Sequence, residues 1–197
     1  MGFGHKGLDN LFEAEPGVVT AIIGGAGTGK TSLSLCLARN FEKPYLIDTE
    51  GLSLERVRQI EVPQLKVARV REFENQVKLI DSLDLDMDLL IIDSLVMLYR
   101  LEVAKDHEKA NNMLSKIISK LHLLAEKKGI PVVVTGHIYT KNRKKKVVGG
   151  DIVKYWAKTI VLLEKKGFGR RSATLLKSRS REEGTSCNFR LCREGVC

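Results

Sequence analysis

An α/β fold is predicted: a mostly parallel twisted sheet with helices on both faces and antiparallel strands added at the C-terminal edge. Three features of the sequence point to it. Strand-like and helix-like segments alternate, the pattern that right-handed crossovers turn into parallel strands. Runs such as Leu89 to Ile92 and Pro131 to Thr135 are almost continuously apolar, as strands covered on both faces are. The stretch Gly24 to Thr31, Gly-Gly-Ala-Gly-Thr-Gly-Lys-Thr, joins a strand-like run, Val18 to Ile23, to a helix-like run, Ser32 to Asn40.

Pro44 to Asp48 reads as the second strand and Leu54 to Ile60 as the short helix after it. Lys66 to Val70 (strand), Glu72 to Leu83 (helix) and Met87 to Asp93 (strand) continue the alternation. A long helix is expected from about Asp106 to Lys128, because Ala110, Leu114, Ile117, Leu121 and Leu124 share one face. Gly129 and Pro131 end it, and Pro131 to Thr135 is another apolar strand. A lysine-rich stretch, bounded by Gly149 and Gly150, comes next and reads as a loop. Thr159 to Leu163, Ser172 to Lys177 and Cys187 to Leu191 read as three strands joined by glycine-rich or charged turns, the antiparallel addition at the sheet edge. The 197 residues, 1–197, are expected to form one domain without internal repeats.

The glycine-rich stretch carries the clearest chemistry. Gly24, Gly25, Ala26, Gly27, Thr28 and Gly29 let the backbone curl so that successive N–H groups point at phosphates, and Ser32 continues the cradle at the helix start. Lys30 is placed to reach the β and γ phosphates, and Thr31 offers a hydroxyl to a magnesium ion. ATP and Mg2+ are therefore the expected cofactors. Two strands bring carboxylates to the same sheet edge. Asp93, after Leu89-Leu90-Ile91-Ile92, is the expected magnesium-side acid. In Asp48-Thr49-Glu50, Glu50 is the candidate general base for the water that attacks the γ phosphorus, with Asp48 orienting the turn or a metal-bound water.

Composition narrows the partners. The formal net charge is +9 and the apolar content 43%, ordinary for a globular chain but basic overall. The excess is concentrated: Lys141, Arg143, Lys144, Lys145 and Lys146 fall within six residues, a pattern that suits the phosphates of DNA with slight sequence preference. Tyr139 beside them could stack on an unpaired base, and a solvated loop is the competing reading. The four cysteines, Cys36, Cys187, Cys192 and Cys197, form no Cys-x-x-Cys pair and read as free thiols. No apolar run approaches the ~20 residues of a membrane span, and Met1 to Asn10 lacks the apolar stretch of a secretion signal, so a cytoplasmic protein without membrane contact is expected.

Together Gly24 to Thr31, Leu46-Ile47-Asp48-Thr49-Glu50-Gly51, Leu89 to Ser94 with Leu98-Tyr99-Arg100, and Gly149-Gly150-Asp151 resemble the RecA and RadA recombinase core over nearly the whole chain. Tyr155-Trp156-Ala157-Lys158 and Lys177-Ser178-Arg179-Ser180 are most similar to the RadB group of short archaeal RadA paralogues. The resemblance implies a RecA-type P-loop NTPase fold and a DNA-binding ATPase of recombination and repair, with slow turnover and an accessory role beside a RadA-type recombinase. It places the two DNA loops near Glu102 to Glu108, with Lys105, and at Thr140 to Val148. It also implies that Lys177 and Arg179, at alternate positions of a late strand, reach a neighbouring subunit's γ phosphate, which requires self-association. His137 stands where the recombinases carry a glutamine that senses the γ phosphate, and it could donate a hydrogen bond there. The short segment ahead of the first strand lacks the family's polymerisation segment, so long filaments are not expected. The competing functions are a nucleotide-switched DNA-binding mediator with negligible hydrolysis and a RecA-fold ATPase of a pathway that does not touch DNA.

Overall fold

The structure is a computed structural model that describes residues 2–141 and 144–197. In chain order its elements are α1 (Lys6–Leu11), β1 (Val19–Gly24), α2 (Lys30–Ala38), β2 (Pro44–Asp48), α3 (Leu54–Ile60), β3 (Lys66–Arg69), α4 (Phe73–Asp81) and β4 (Leu89–Asp93). There follow α5 (Met97–Val103), α6 (His107–Lys128), β5 (Val132–Lys141), β6 (Lys144–Val147), α7 (Gly150–Trp156), β7 (Thr159–Lys165), β8 (Arg170–Lys177), β9 (Ser186–Cys192) and β10 (Gly195–Val196). The strands line up as β10-β9-β8-β7-β1-β5-β4-β2-β3, with β6 attached to β5.

The first strand is central. β1 runs parallel to β5 on one side and to β7 on the other, and β5, β4, β2 and β3 are all parallel. β8, β9 and β10 are antiparallel. The antiparallel addition therefore begins at β8, one strand later than the sequence suggests. Because β7 follows a crossover through α7 rather than a tight turn, it enters parallel to β1.

Period-two alternation sorts the core. Val19, Ala21 and Ile23 of β1, Leu90 and Ile92 of β4, and Val132 and Val134 of β5 pack on one face with Leu114, Ile117, Ile118 and Leu121 of α6. Ile22, Leu89, Ile91 and Val133 face the other way, against Leu33 and Leu37 of α2, Ile60 of α3, and Leu8 and Phe12 around α1. Both faces of the inner strands β1 and β4 are buried, which is why their sequence is almost wholly apolar, whereas the edge strand β3 is mostly exposed and carries Lys66 and Arg69. Asp106 caps α6, its Oδ1 accepting from Lys109 N at 2.9 Å, and Gly129 ends it at φ 63°.

The clearest departure from expectation is the lysine-rich stretch. β5 continues past Thr135 to Lys141 and turns back as β6, so the stretch is a hairpin, with Ile138 opposite Val147 and Tyr139 opposite Lys146. Val147 is buried, and Val148 N donates to His137 O at 2.9 Å. Burial of one apolar side anchors a ribbon whose other side is charged. The candidate loop Glu102 to Glu108 is likewise mostly helix: it spans the end of α5, a short turn and the start of α6.

Candidate functional site

β1 ends at Gly24, and the chain then wraps through the glycine loop into α2. Gly27 (φ 66°) and Gly29 (φ 102°) occupy the left-handed region that the curl needs. A Cβ on Gly24 would stand 2.6 Å from Leu163 O, so β7 leaves no room for a side chain there. Thr28 Oγ1 donates to Gly25 O at 2.9 Å and closes the loop. Lys30 is buried, and its Nζ donates to Gly24 O (3.2 Å) and Gly25 O (3.0 Å). Burial lowers its pKa below 10.5, while Glu50 and Asp93 pull the other way. An arriving polyphosphate restores the environment that an ammonium prefers.

The sheet register brings the acids to this loop. Asp48 and Asp93 are partners across β2 and β4. Asp93 is buried; its Oδ2 accepts from Thr31 Oγ1 at 2.6 Å and its Oδ1 from Thr135 Oγ1 at 2.5 Å. Burial pushes its carboxyl above the ordinary value, and the two hydroxyls hold it down. Hard oxygen donors suit Mg2+, and a hydroxyl beside one carboxylate leaves open the positions that this ion fills with water and phosphate oxygens. Among the described residues no group of three or more His, Cys, Asp and Glu could hold a metal by itself. Asp48 takes the turn-orienting role: its Oδ1 accepts from Glu50 N (3.1 Å) and Gly51 N (2.7 Å), and Arg69 lies 3.4 Å from its Oδ2.

Glu50 and His137 meet directly. His137 sits beside Gly24 in the β1–β5 register, and its Nε2 donates to Glu50 Oε1 at 2.5 Å. That hydrogen bond holds the Glu50 carboxyl below the ordinary 4.5, against partial burial. Stability from this contact is therefore full above pH 4.5 and lost as pH falls through the lowered Glu50 value. Urea unfolding over a pH series is expected to show the margin of the native chain over His137→Ala shrinking across that acid window. A margin independent of pH would show that the contact carries no charge-linked stability.

A cavity of about 260 Å³ is lined by Ala26, Gly27, Gly29, Lys30, Thr31, Ser32, Glu50, His137 and Leu191. Thus the loop, Glu50 and His137 converge as the sequence suggests, with Asp93 behind Thr31. Four contributors escape sequence reasoning. Leu191 of β9 packs where a Cβ on Gly29 would be, at 2.9 Å. Arg56 of α3 donates to Ser32 Oγ (3.0 Å) and to the carbonyls of Cys192 (2.9 Å) and Arg193 (2.8 Å), tying the β9–β10 hairpin to the loop helix. Arg171 reaches Gly27 O at 3.2 Å. Thr135 is the second hydroxyl on Asp93. Each acts across a long sequence separation, and only Thr135 had a cue, its place at the end of an apolar strand.

The cations divide differently from expectation. Lys145 is paired with Glu164 of β7, while Lys146 is exposed. Arg143 lies outside the described residues, and at Lys141 and Lys144 the strand backbone alone is described. Lys105 pairs with Glu102 at 3.2 Å. Lys177 and Arg179 do not share a strand face: β8 ends at Lys177, because Ser178 Oγ accepts from Ser180 N (3.3 Å) and Arg181 N (3.1 Å) and turns the chain. Lys177 Nζ donates to Lys154 O (2.7 Å) and Ala157 O (2.8 Å), satisfying carbonyls at the end of α7, and partial burial lowers its pKa. It pairs with Ile160 near the start of β7, whereas Gly24 pairs with Leu163, so it sits away from its own phosphate loop.

Comparison with known proteins agrees with this geometry. The Rad51 family model matches residues 1–197. The chain is 36% identical to the DNA repair and recombination protein RadB of Methanococcoides burtonii, over 97% of this chain and 94% of that one. It is 35% identical to the RadB of Methanobrevibacter smithii, over 98% and 93% of the two chains. A crystal structure of the RadB recombinase superposes with a TM-score of 0.85 at 29% identity, covering 98% of this chain and 97% of the other. The family model spans the glycine loop at the end of β1, the buried carboxylate of β4 and the β5–β6 hairpin alike, and the chain belongs to the Rad51 family.

Proposed function

We propose that this chain is an ATP-binding and DNA-binding protein of homologous recombination and repair, with slow, Mg2+-dependent ATP hydrolysis. The observation that carries the reading is the path of β5: the strand that sets His137 beside Gly24 and Glu50 continues as the first arm of the lysine-rich hairpin. The naming of the RadB relatives as repair and recombination proteins supports the pathway.

Loop amides and Lys30 bind the phosphates, and Thr31 with Asp93 holds Mg2+, which when bound offsets triphosphate charge. Glu50 takes the proton of the attacking water. Two resting contacts must yield first: Lys30 leaves the carbonyls of Gly24 and Gly25, and Glu50 leaves His137. The His137 hydrogen bond stabilises the Glu50 carboxylate at rest, and having to break it before the base can act favours slow turnover. The same contact favours a second reading, a nucleotide-switched mediator whose hydrolysis is negligible.

Single-stranded DNA is the proposed partner, held by Lys141, Arg143, Lys144, Lys145 and Lys146 with Tyr139 as stacking platform and Lys105 nearby. Lys177 and Arg179 act on a neighbouring copy's phosphates, which calls for self-association, and a RadA-type recombinase is the proposed protein partner. Residues 1–197 act as one ATPase domain in the cytoplasm, on the nucleoid; among the described residues no helix is long and apolar enough to cross a membrane. Replacing Lys144, Lys145 and Lys146 by alanine is expected to flatten the salt dependence of DNA binding by about two units rather than three, since Lys145 is already neutralised by Glu164. An unaltered slope would return the hairpin to a solvated ribbon.

A further inference from the structure

The β8–β9 end of the sheet has a polar face that the nucleotide and DNA sites do not use. Register pairs Arg170 with Arg190, Ser172 with Asn188 and Thr174 with Ser186, so these side chains share one face, while Ala173 and Leu175 pack into the core on the other. With Lys166, Phe189 and Cys197 they line a cavity of about 770 Å³. On the inner strands β1, β4 and β5 the corresponding faces are apolar and packed against helices; here hydroxyls, an amide and three cations take the place of the apolar side chains.

Two features make this more than a solvated edge. Arg170 and Arg190 stand directly opposite one another, an arrangement that destabilises a strand pair unless an anion lies between. Among the described residues neither is ion-paired with a carboxylate, and Glu164, which faces Ser172 across β7 and β8, is engaged by Lys145 and Lys166. In addition, Ser172 is 4% exposed and its Oγ has no hydrogen-bond partner, although it lines the cavity. A buried hydroxyl without a partner is costly unless a ligand completes it.

We propose that this face binds a phosphoryl group, clamped between the guanidinium groups of Arg170 and Arg190 and bonded by Ser172 and Asn188. Paired guanidinium forks match phosphate oxygens in number and direction, and the cavity has room for a short phosphate chain. The group arrives either on a free polyphosphate-type anion or on a nucleic-acid backbone. The site is independent of the phosphate loop, so it stands or falls apart from the function proposed above.

The probe is inorganic tripolyphosphate, titrated calorimetrically at low salt into the Lys30→Ala chain, in which the phosphate loop is silenced. One binding event is expected. Adding Arg170→Ala and Arg190→Ala should weaken it about tenfold or more, the scale of lost charged hydrogen bonds. Adding Ser172→Ala should weaken it severalfold. Because two repelling cations are removed, the arginine variant should melt no lower than its parent without the anion, and it should lose the rise in Tm that tripolyphosphate gives the parent. Displacement of the probe by a short oligothymidylate would assign the phosphoryl group to nucleic acid, and indifference to it would assign a free anion. No uptake by the Lys30→Ala chain would overturn the proposal. So would uptake unchanged by the arginine substitutions, or uptake lost only with Lys144, Lys145 and Lys146.

Discussion

Lys30→Ala is expected to lower affinity for MgATP by a factor on the order of 10² while the fold survives. The side chain is buried and lines the cavity beside the loop. In the resting arrangement its Nζ bonds the carbonyls of Gly24 and Gly25, groups that water can satisfy once the ammonium is gone. Calorimetry gives the affinity directly. Thermal unfolding gives a second readout, since a ligand at 100 times its Kd adds about 2.7 kcal/mol to stability and the variant should forgo that gain. Equal affinity in both proteins would mean that this loop does not bind the triphosphate.

Glu50→Gln separates binding from chemistry. The amide keeps nearly the same shape beside His137 but cannot take a proton from water. ATP affinity should hold while turnover falls by a factor on the order of 10² or more, the scale of a lost general base. Single-turnover phosphate release from both proteins measures it. A native rate already as low as that of the variant would favour the mediator reading. A measurable native rate that the substitution leaves unchanged would mean that the base lies elsewhere.

Much of the fold was legible because buried parallel strands write themselves as apolar runs: the strand Pro44–Asp48 is bounded in the structure as in the sequence, and so is the short helix Leu54–Ile60 that follows it. The loop and Asp93 were legible for a related reason, since glycine spacing and a carboxylate ending an apolar run are local signals. The lysine-rich hairpin was not, because its charges mask the short pattern Ile138, Val147 and Val148 that pins it to the core. Arg179 was misplaced because a single hydroxyl, Ser178 Oγ, ends β8 two residues before it. The pairing of His137 with Glu50 could be expected only as proximity. Contact requires β2, β4, β5 and β1 to be in register, and no local pattern encodes that sum.

One site hydrolyses ATP in the proposed mechanism, and β5 links that site to bound DNA. Steady-state ATP turnover, measured with and without single-stranded DNA, tests this mechanism most directly. Slow Mg2+-dependent turnover that Lys30→Ala abolishes is expected, with a rate that single-stranded DNA changes and that loses this response when Lys144, Lys145 and Lys146 are alanine. Turnover equal in the native and Lys30→Ala proteins, or a native rate indifferent to DNA at concentrations that saturate binding, would contradict it.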